Sequence, residues 1–196
     1  MLKEVDVIEK GLLAIRDCLS VVPSLTIDSI GEVAAKDGPD YRVSVQGEGF
    51  KQTLYLEIKT LGTPKSTREA ANLLMRWIQN EPMTYGIFVA PFISPRSAAI
   101  CNEAGIGYAD LSGNCSIAFQ KIFISREKMG NQFPFKTSLS SIYSPKSERI
   151  LRVLLAYPYQ SWKTVELAKE AKVSLGMITQ VSKKLIEEEW LNKTSQ

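Results

Sequence analysis

Leu54-Tyr55-Leu56-Glu57-Ile58-Lys59-Thr60 sets Leu54, Leu56 and Ile58 against Tyr55, Glu57 and Lys59. Alternation of period two is the signature of a strand whose side chains point to opposite faces. Seventeen residues before Glu57 stands Asp40, preceded by Pro39 and followed by a second alternating run at 41–46. There Tyr41, Val43 and Val45 oppose Asp40, Arg42, Ser44 and Gln46, and Gly47-Glu48-Gly49-Phe50 joins the two runs. Facing residues of an antiparallel pair have numbers with a constant sum, and matching the faces forces that sum to be odd. A two-residue loop at Glu48-Gly49 gives 97, which sets Asp40 opposite Glu57 and Arg42 opposite Tyr55. Sums of 95 and 99 also keep the faces matched. Carboxylates facing each other at about 5 Å repel, so the pair calls for Lys59 or a bound cation, or else for a raised pKa on one acid.

The flanking sequence extends this hairpin into a sheet with helices. Leu2, Val5, Ile8, Leu12, Ile15 and Leu19 fall three and four apart, one face of a helix over 2–19 that Pro23 ends. Residues 25–33 read as a short first strand, with Glu32 an additional acid near the hairpin. Ser66 and Glu69 form a capping-box pattern for a helix with the stripe Ala70, Leu73, Leu74, Trp77 and Ile78. The apolar run 85–90 is then a strand buried on both faces and parallel to the one ending at Thr60. Ser94, Pro95 and Gly105 frame the next helix; 106–111 reads as a strand, 112–114 as a turn, and 116–125 as a closing hairpin.

Composition narrows the chemistry. The chain has no histidine and three widely spaced cysteines, Cys18, Cys101 and Cys115, without a CxxC pair. Histidine bases, Ser-His and Cys-His nucleophiles and mixed-ligand zinc sites are therefore excluded, and the cysteines read as small buried apolar residues. Hydrolytic chemistry would rest on carboxylates, lysine and a hard oxygen-ligated cation, with no zinc and no nucleotide cofactor expected. No apolar run of 18 residues and no signal-peptide core is present, so a cytoplasmic protein without a membrane partner is expected. Net charge is +3, unevenly spread: residues 126–196 hold 12 Lys and Arg against 7 Asp and Glu, while residues 1–125 hold 12 against 14. The basic part is where nucleic acid is expected.

Residues 128–146 contain Gly130, Pro134, Pro145 and several serines and are read as a linker between domains at 1–127 and 147–196. Beyond it, Ile150, Leu151, Leu154 and Leu155 mark one helix, 164–171 a second and 174–188 a third, the last two joined by a very tight turn. This all-α domain resembles the helix-turn-helix of winged-helix regulators: Ala168 falls on the tight inner face, and Leu167, Ala171, Val173, Ile178 and Val181 on the apolar positions. Lys172 stands where such motifs commonly carry glycine, so it is expected in a left-handed conformation or a different turn. The resemblance implies a third helix in the major groove of double-stranded DNA, using Ser174, Met177, Thr179, Gln180, Lys183 and Lys184, and a homodimer. Trp190-Leu191 reads as the first strand of a wing, with the expectation that the wing is either rudimentary or cut short in a fragment of a longer protein.

Glu57-Ile58-Lys59 is not diagnostic alone, since Glu170-Ala171-Lys172 repeats the pattern in helix and turn. An ordinary solvated hairpin face accommodates the same residues. Set on a hairpin with Asp40 and within an αβββαβ order, residues 40–59 resemble the PD-(D/E)xK motif of the restriction-endonuclease-like superfamily. The fold this implies is an α/β core with a mixed sheet, followed by the small winged helix-turn-helix domain. The resemblance implies Asp40 and Glu57 as Mg2+ ligands, with Mn2+ a substitute in vitro, and Lys59 as the group that positions water or stabilises charge on the phosphate. The combination, with the runs at 85–97 and 105–114 (GIGYADLSGN), is also similar to the AbiEi-type transcriptional regulators of toxin-antitoxin systems, in which the winged helix comes first rather than last. Three functions follow as expectations: a DNA-binding transcriptional regulator, a Mg2+-dependent deoxyribonuclease, or an antitoxin-like protein-interaction module.

Overall fold

The computed structural model describes residues 2–33, 38–79, 81–127, 129–134 and 142–192. The chain divides into two compact units, Met1–Pro134 and Phe135–Gln196.

The first unit runs α1 (Glu4–Leu19), β1 (Thr26–Glu32), β2 (Tyr41–Gly47), β3 (Phe50–Ile58), α2 (Pro64–Ile78), β4 (Thr84–Ala90), α3 (Pro95–Glu103), β5 (Gly107–Asp110), β6 (Cys115–Phe119) and β7 (Ile122–Arg126). Its seven strands lie side by side in sequence order. β3, β4 and β5 are parallel neighbours and the remaining pairs antiparallel, giving a mixed α/β unit. Tyr41 pairs with Leu56 and Arg42 with Tyr55, so the β2–β3 register has the sum of 97.

Both faces of the sheet are covered at its centre. On one, Val7, Ile15 and Leu19 of α1 pack on Val43, Val45, Leu54, Leu56 and Val89. On the other, Ala70, Ala71 and Leu74 of α2 pack on Tyr55, Phe88 and Tyr108. The consequence is that β3 is buried continuously from Leu54 through Ile58, including the side of Tyr55 and Glu57 that alternation alone leaves open to solvent. All three cysteines are buried.

Several boundaries differ from the sequence-based expectation for local reasons. α2 starts at Pro64, not at Ser66: the Thr63 side chain caps the helix by accepting Ser66 N–H at 3.4 Å, and Pro64 suits the first turn because it has no N–H to satisfy. Part of the expected linker belongs to the first unit. Met129 N–H donates to Asn114 Oδ1 at 2.8 Å and Gln132 N–H to Ser112 Oγ at 3.1 Å. Lys128 and Phe135 lie outside the described residues.

The second unit contains α4 (Pro145–Ala156), α5 (Thr164–Glu170) and α6 (Leu175–Glu187). Ile150, Leu167, Ala168, Ala171, Ile178, Val181 and Leu185 form its core. Lys172 adopts φ of 52°, the left-handed value that the tight turn requires, and Val173 N–H returns to Ala168 O at 3.0 Å. Among the described residues this unit has no strand. Trp190 and Leu191, expected to open a wing, turn back and donate their N–H groups to Leu185 O at 2.8 and 3.3 Å. Residues 193–196 lie outside the described set.

Candidate functional site

The hairpin register brings the sequence-predicted acids together. Asp40 precedes β2, and its Oδ2 accepts the Ile58 backbone N–H at 2.7 Å. That bond fixes the aspartate beside Glu57, whose pKa its charge helps to raise. Lys59 Nζ forms an ion pair with Glu57 Oε1 and stands just beyond β3, where its N–H prolongs the ladder to Val89 O at 2.9 Å. Asp40, Glu57 and Lys59 therefore cluster at the end of β3, beside the end of its parallel neighbour β4.

Their electrostatics are unequal. Glu57 is 1% exposed, whereas the Lys59 side chain is 41% exposed. Burial pushes Glu57 above the usual carboxylate range; the Lys59 hydrogen bond pulls it down, the Asp40 charge pushes it up, and the net direction is up. At Lys59 burial acts to lower the pKa, but the hydrogen bond to Glu57 and the charges of Glu57, Asp40 and Glu4 outweigh it, so the ammonium is raised. The Glu57 hydrogen bond and the surrounding carboxylates favour the ammonium form of Lys59. Glu57 Oε2 is buried without a hydrogen-bond partner. A carboxylate oxygen in that state is costly unless a cation meets it.

Those features fit a hard divalent cation. Asp40 and Glu57 supply oxygen donors, one of them orphaned, and Mg2+ is commonly held by one or two carboxylates with water and phosphate oxygens completing its shell. Among the described residues no cluster of three or more His, Cys, Asp or Glu stands at metal-binding distances. Glu32 does not join the pair. It lies opposite Tyr41 across β1–β2, and Tyr41 packs toward α1, on the face away from Asp40 and Glu57.

The neighbouring loops are tightly fixed. Ser97 Oγ donates to Gly62 O at 2.8 Å, and a Cβ on Gly62 would lie 2.1 Å from Phe92 O, so only glycine permits the two loops to meet. Asp110, at the end of β5, is 1% exposed and fully occupied. It accepts Ile93 N–H at 3.1 Å, Ser112 and Asn114 N–H at 2.9 Å each, and Asn114 Nδ2 at 2.8 Å. This acid has a structural task and is no spare ligand.

Two further residues near the site, Glu81 and Glu4, were not visible in the sequence. Arg42 Nη2 donates to the Tyr55 hydroxyl at 2.7 Å, and that hydroxyl donates in turn to Glu81 Oε2. Glu81 is 26 residues from Tyr55 in sequence, beyond any local pattern. Glu4, whose charge reaches Lys59, lies on the first turn of α1, where an acid reads simply as helix capping.

In the second unit the predicted DNA-reading residues separate into two groups. Ser174 caps α6 by accepting Met177 N–H at 3.3 Å, while Thr179, Gln180 and Lys183 are exposed. Thr179 Oγ1 donates to Leu175 O at 3.1 Å. Met177 instead leans onto the helical core, and Lys184 Nζ is held by Glu188 Oε1 at 3.0 Å.

Comparison with family models, characterised proteins and solved structures finds no match to this chain.

Proposed function

We propose that this chain is a DNA-binding protein whose first unit is a divalent-metal-dependent deoxyribonuclease of restriction-endonuclease-like type and whose second unit is a DNA-reading helix-turn-helix. The observation that carries the reading is Glu57: a buried carboxylate with an orphaned oxygen, beside Asp40 and a protonated lysine. A merely structural glutamate at 1% exposure would have both oxygens satisfied, as Asp110 has.

Asp40 and Glu57 would hold Mg2+, which when bound supplies Lewis-acid polarisation of the phosphate and an acidified water. Asp40 is fixed by Ile58 N–H, so its carboxylate keeps its place as substrate enters. Lys59, whose side chain is 41% exposed, would turn its ammonium from Glu57 to a nonbridging phosphate oxygen and stabilise the charge that grows there. The exposed Thr179, Gln180 and Lys183 suit groove and phosphate contacts, Gln180 by the chemistry of its amide for an adenine edge.

A second reading is a transcriptional regulator that binds without cutting. The Lys59–Glu57 ion pair favours it, because the lysine already neutralises one of the two candidate ligands. Incubation of supercoiled plasmid with Mg2+ or Mn2+ separates the two: strand scission by the wild type and not by Lys59→Ala supports the nuclease.

A further inference from the structure

The sheet face that carries Asp40 and Glu57 is closed by helices over β3 and β4 but open over β1 and β2. Ser29 and Ser44 pair across β1–β2, Ser44 with Thr53 and Gln46 with Lys51 across β2–β3, so these residues share one face with Arg42. Two open depressions of about 520 and 390 Å³ follow that face and join at Ser29. Ser29, Ser44, Lys51 and Thr53 line the first, and Arg42 lies in the second.

The lining has a particular chemistry. Hydroxyls, a guanidinium and an ammonium are the donors proteins use on phosphate and sugar oxygens, which fix register without reading sequence. Their intervals along the strand stand close to one to two. Arg42 lies two residues beyond Asp40 on the same face, about 7 Å along the strand, and Lys51, opposite Gln46, roughly 13 Å farther. A polymer with evenly spaced anions laid along β2 would meet the Asp40–Glu57–Lys59 centre at one end and then Arg42 and Lys51.

Three carboxylates oppose this: Asp28 in the first depression, Glu32 in the second, and Glu81 beside Arg42. Glu81 is the informative one. Its oxygen is 3.7 Å from Arg42 Nη2, and the two side chains are 42% and 53% exposed. Such a pair is weak and exchangeable. Arg42 has other contacts that survive the loss of Glu81: its 2.7 Å bond to the Tyr55 hydroxyl, which also donates to Glu81, and its position 5.3 Å over the Tyr55 ring.

We infer that the open face over β1 and β2 is the track for the sugar–phosphate backbone of the DNA strand entering the Asp40–Glu57–Lys59 centre, with Arg42 exchanging Glu81 for the phosphate next to the reacting one. This rests on the nuclease reading for the identity of the centre, but concerns binding and is testable without cleavage.

The test is equilibrium binding of the full chain to a short fluorescein-labelled DNA duplex of arbitrary sequence, in chelator, across a salt series. Arg42→Ala weakens binding roughly five-fold and lowers the slope of log affinity on log salt by about 0.9, one phosphate contact. Lys51→Ala, on an exposed side chain, acts in the same direction. Glu81→Gln keeps an acceptor for the Tyr55 hydroxyl but removes the competing charge, so it tightens binding roughly two-fold. A purely structural ion pair predicts the opposite, or nothing, for Glu81→Gln. An unchanged slope in Arg42→Ala, or binding in Glu81→Gln that fails to tighten, overturns the inference. If the wild type cuts plasmid while these variants bind as it does, the track alone falls; if they shift binding and nothing is cut, the nuclease reading falls and the track stands.

Discussion

Asp40 Oδ2 accepts the backbone N–H of Ile58 at 2.7 Å, which ties the acid preceding β2 to the residue between Glu57 and Lys59. Because the bond is to backbone, it positions Asp40 independently of any side chain at the site. Asp40→Asn retains an acceptor for Ile58 and removes the charge that helps to raise Glu57. The expected outcome is a near-native melting temperature together with a lower Glu57 pKa, read from carboxyl chemical shifts. Asp40→Ala, which leaves Ile58 N–H without this partner, should lose about 1 to 2 kcal/mol in denaturant unfolding.

Glu57 makes a pH-dependent contribution whose sign is opposite to that of a salt-bridged surface acid. Its pKa in the folded chain lies above the ordinary value of 4.5, so the fold favours the protonated form. The stability it contributes is complete below the unfolded carboxylate pKa and is lost as pH rises through the folded value. Glu57→Gln should therefore melt above the wild type at pH 8, with the difference shrinking on acidification. Mg2+ should raise the wild-type melting temperature and not that of Glu57→Gln; an ion a hundred-fold above its dissociation constant stabilises by about 2.7 kcal/mol.

Asp110 provides the contrast between a buried acid at work in the fold and one at work in a site. Its four donors tie β5 to the 91–93 loop and to the 112–114 turn, and Asn114 in turn holds Met129. Asp110→Ala leaves three backbone N–H groups and an amide unmatched. Chemical denaturation should show a loss of about 3 kcal/mol or more.

The two adjacent lysines of α6 should behave differently. Lys183 is exposed, whereas Lys184 spends its charge on Glu188. Lys183→Ala should weaken duplex binding uniformly across sequences and flatten its salt dependence by about 0.9 in slope. Lys184→Ala should change the slope less, and Glu188→Gln should increase it.

Much of the scaffold around the site was legible in the sequence because its signals are local or follow from parity. The odd-sum rule fixed which faces of β2 and β3 match, and a short loop then selected the register that pairs Arg42 with Tyr55. Ser94, Pro95 and Gly105 framed α3, and Lys172 took the left-handed conformation its turn demands. What the sequence hid depends on tertiary covering. Tyr55 and Glu57 read as an exposed polar face, because alternation cannot say that α2 will pack over it. The Arg42–Tyr55–Glu81 chain and the four donors on Asp110 join residues whose spacing carries no pattern. The start of α2 was misread for a local reason, since Ser66 and Glu69 mimic a cap while Thr63 and Pro64 provide the true one. Trp190 and Leu191 have strand-like composition, yet Leu185 O captures both of their N–H groups.

The decisive measurement is the conversion of supercoiled plasmid by the purified full chain in Mg2+ or Mn2+, run beside Lys59→Ala and Glu57→Gln. Asp40, Glu57 and Lys59 acting as a phosphodiester-cleaving centre predict nicked or linear product from the wild type, none in chelator, and a loss of at least about a hundred-fold in either variant. No product from the wild type with either metal, or equal product from Lys59→Ala, would show that this cluster does not cut DNA.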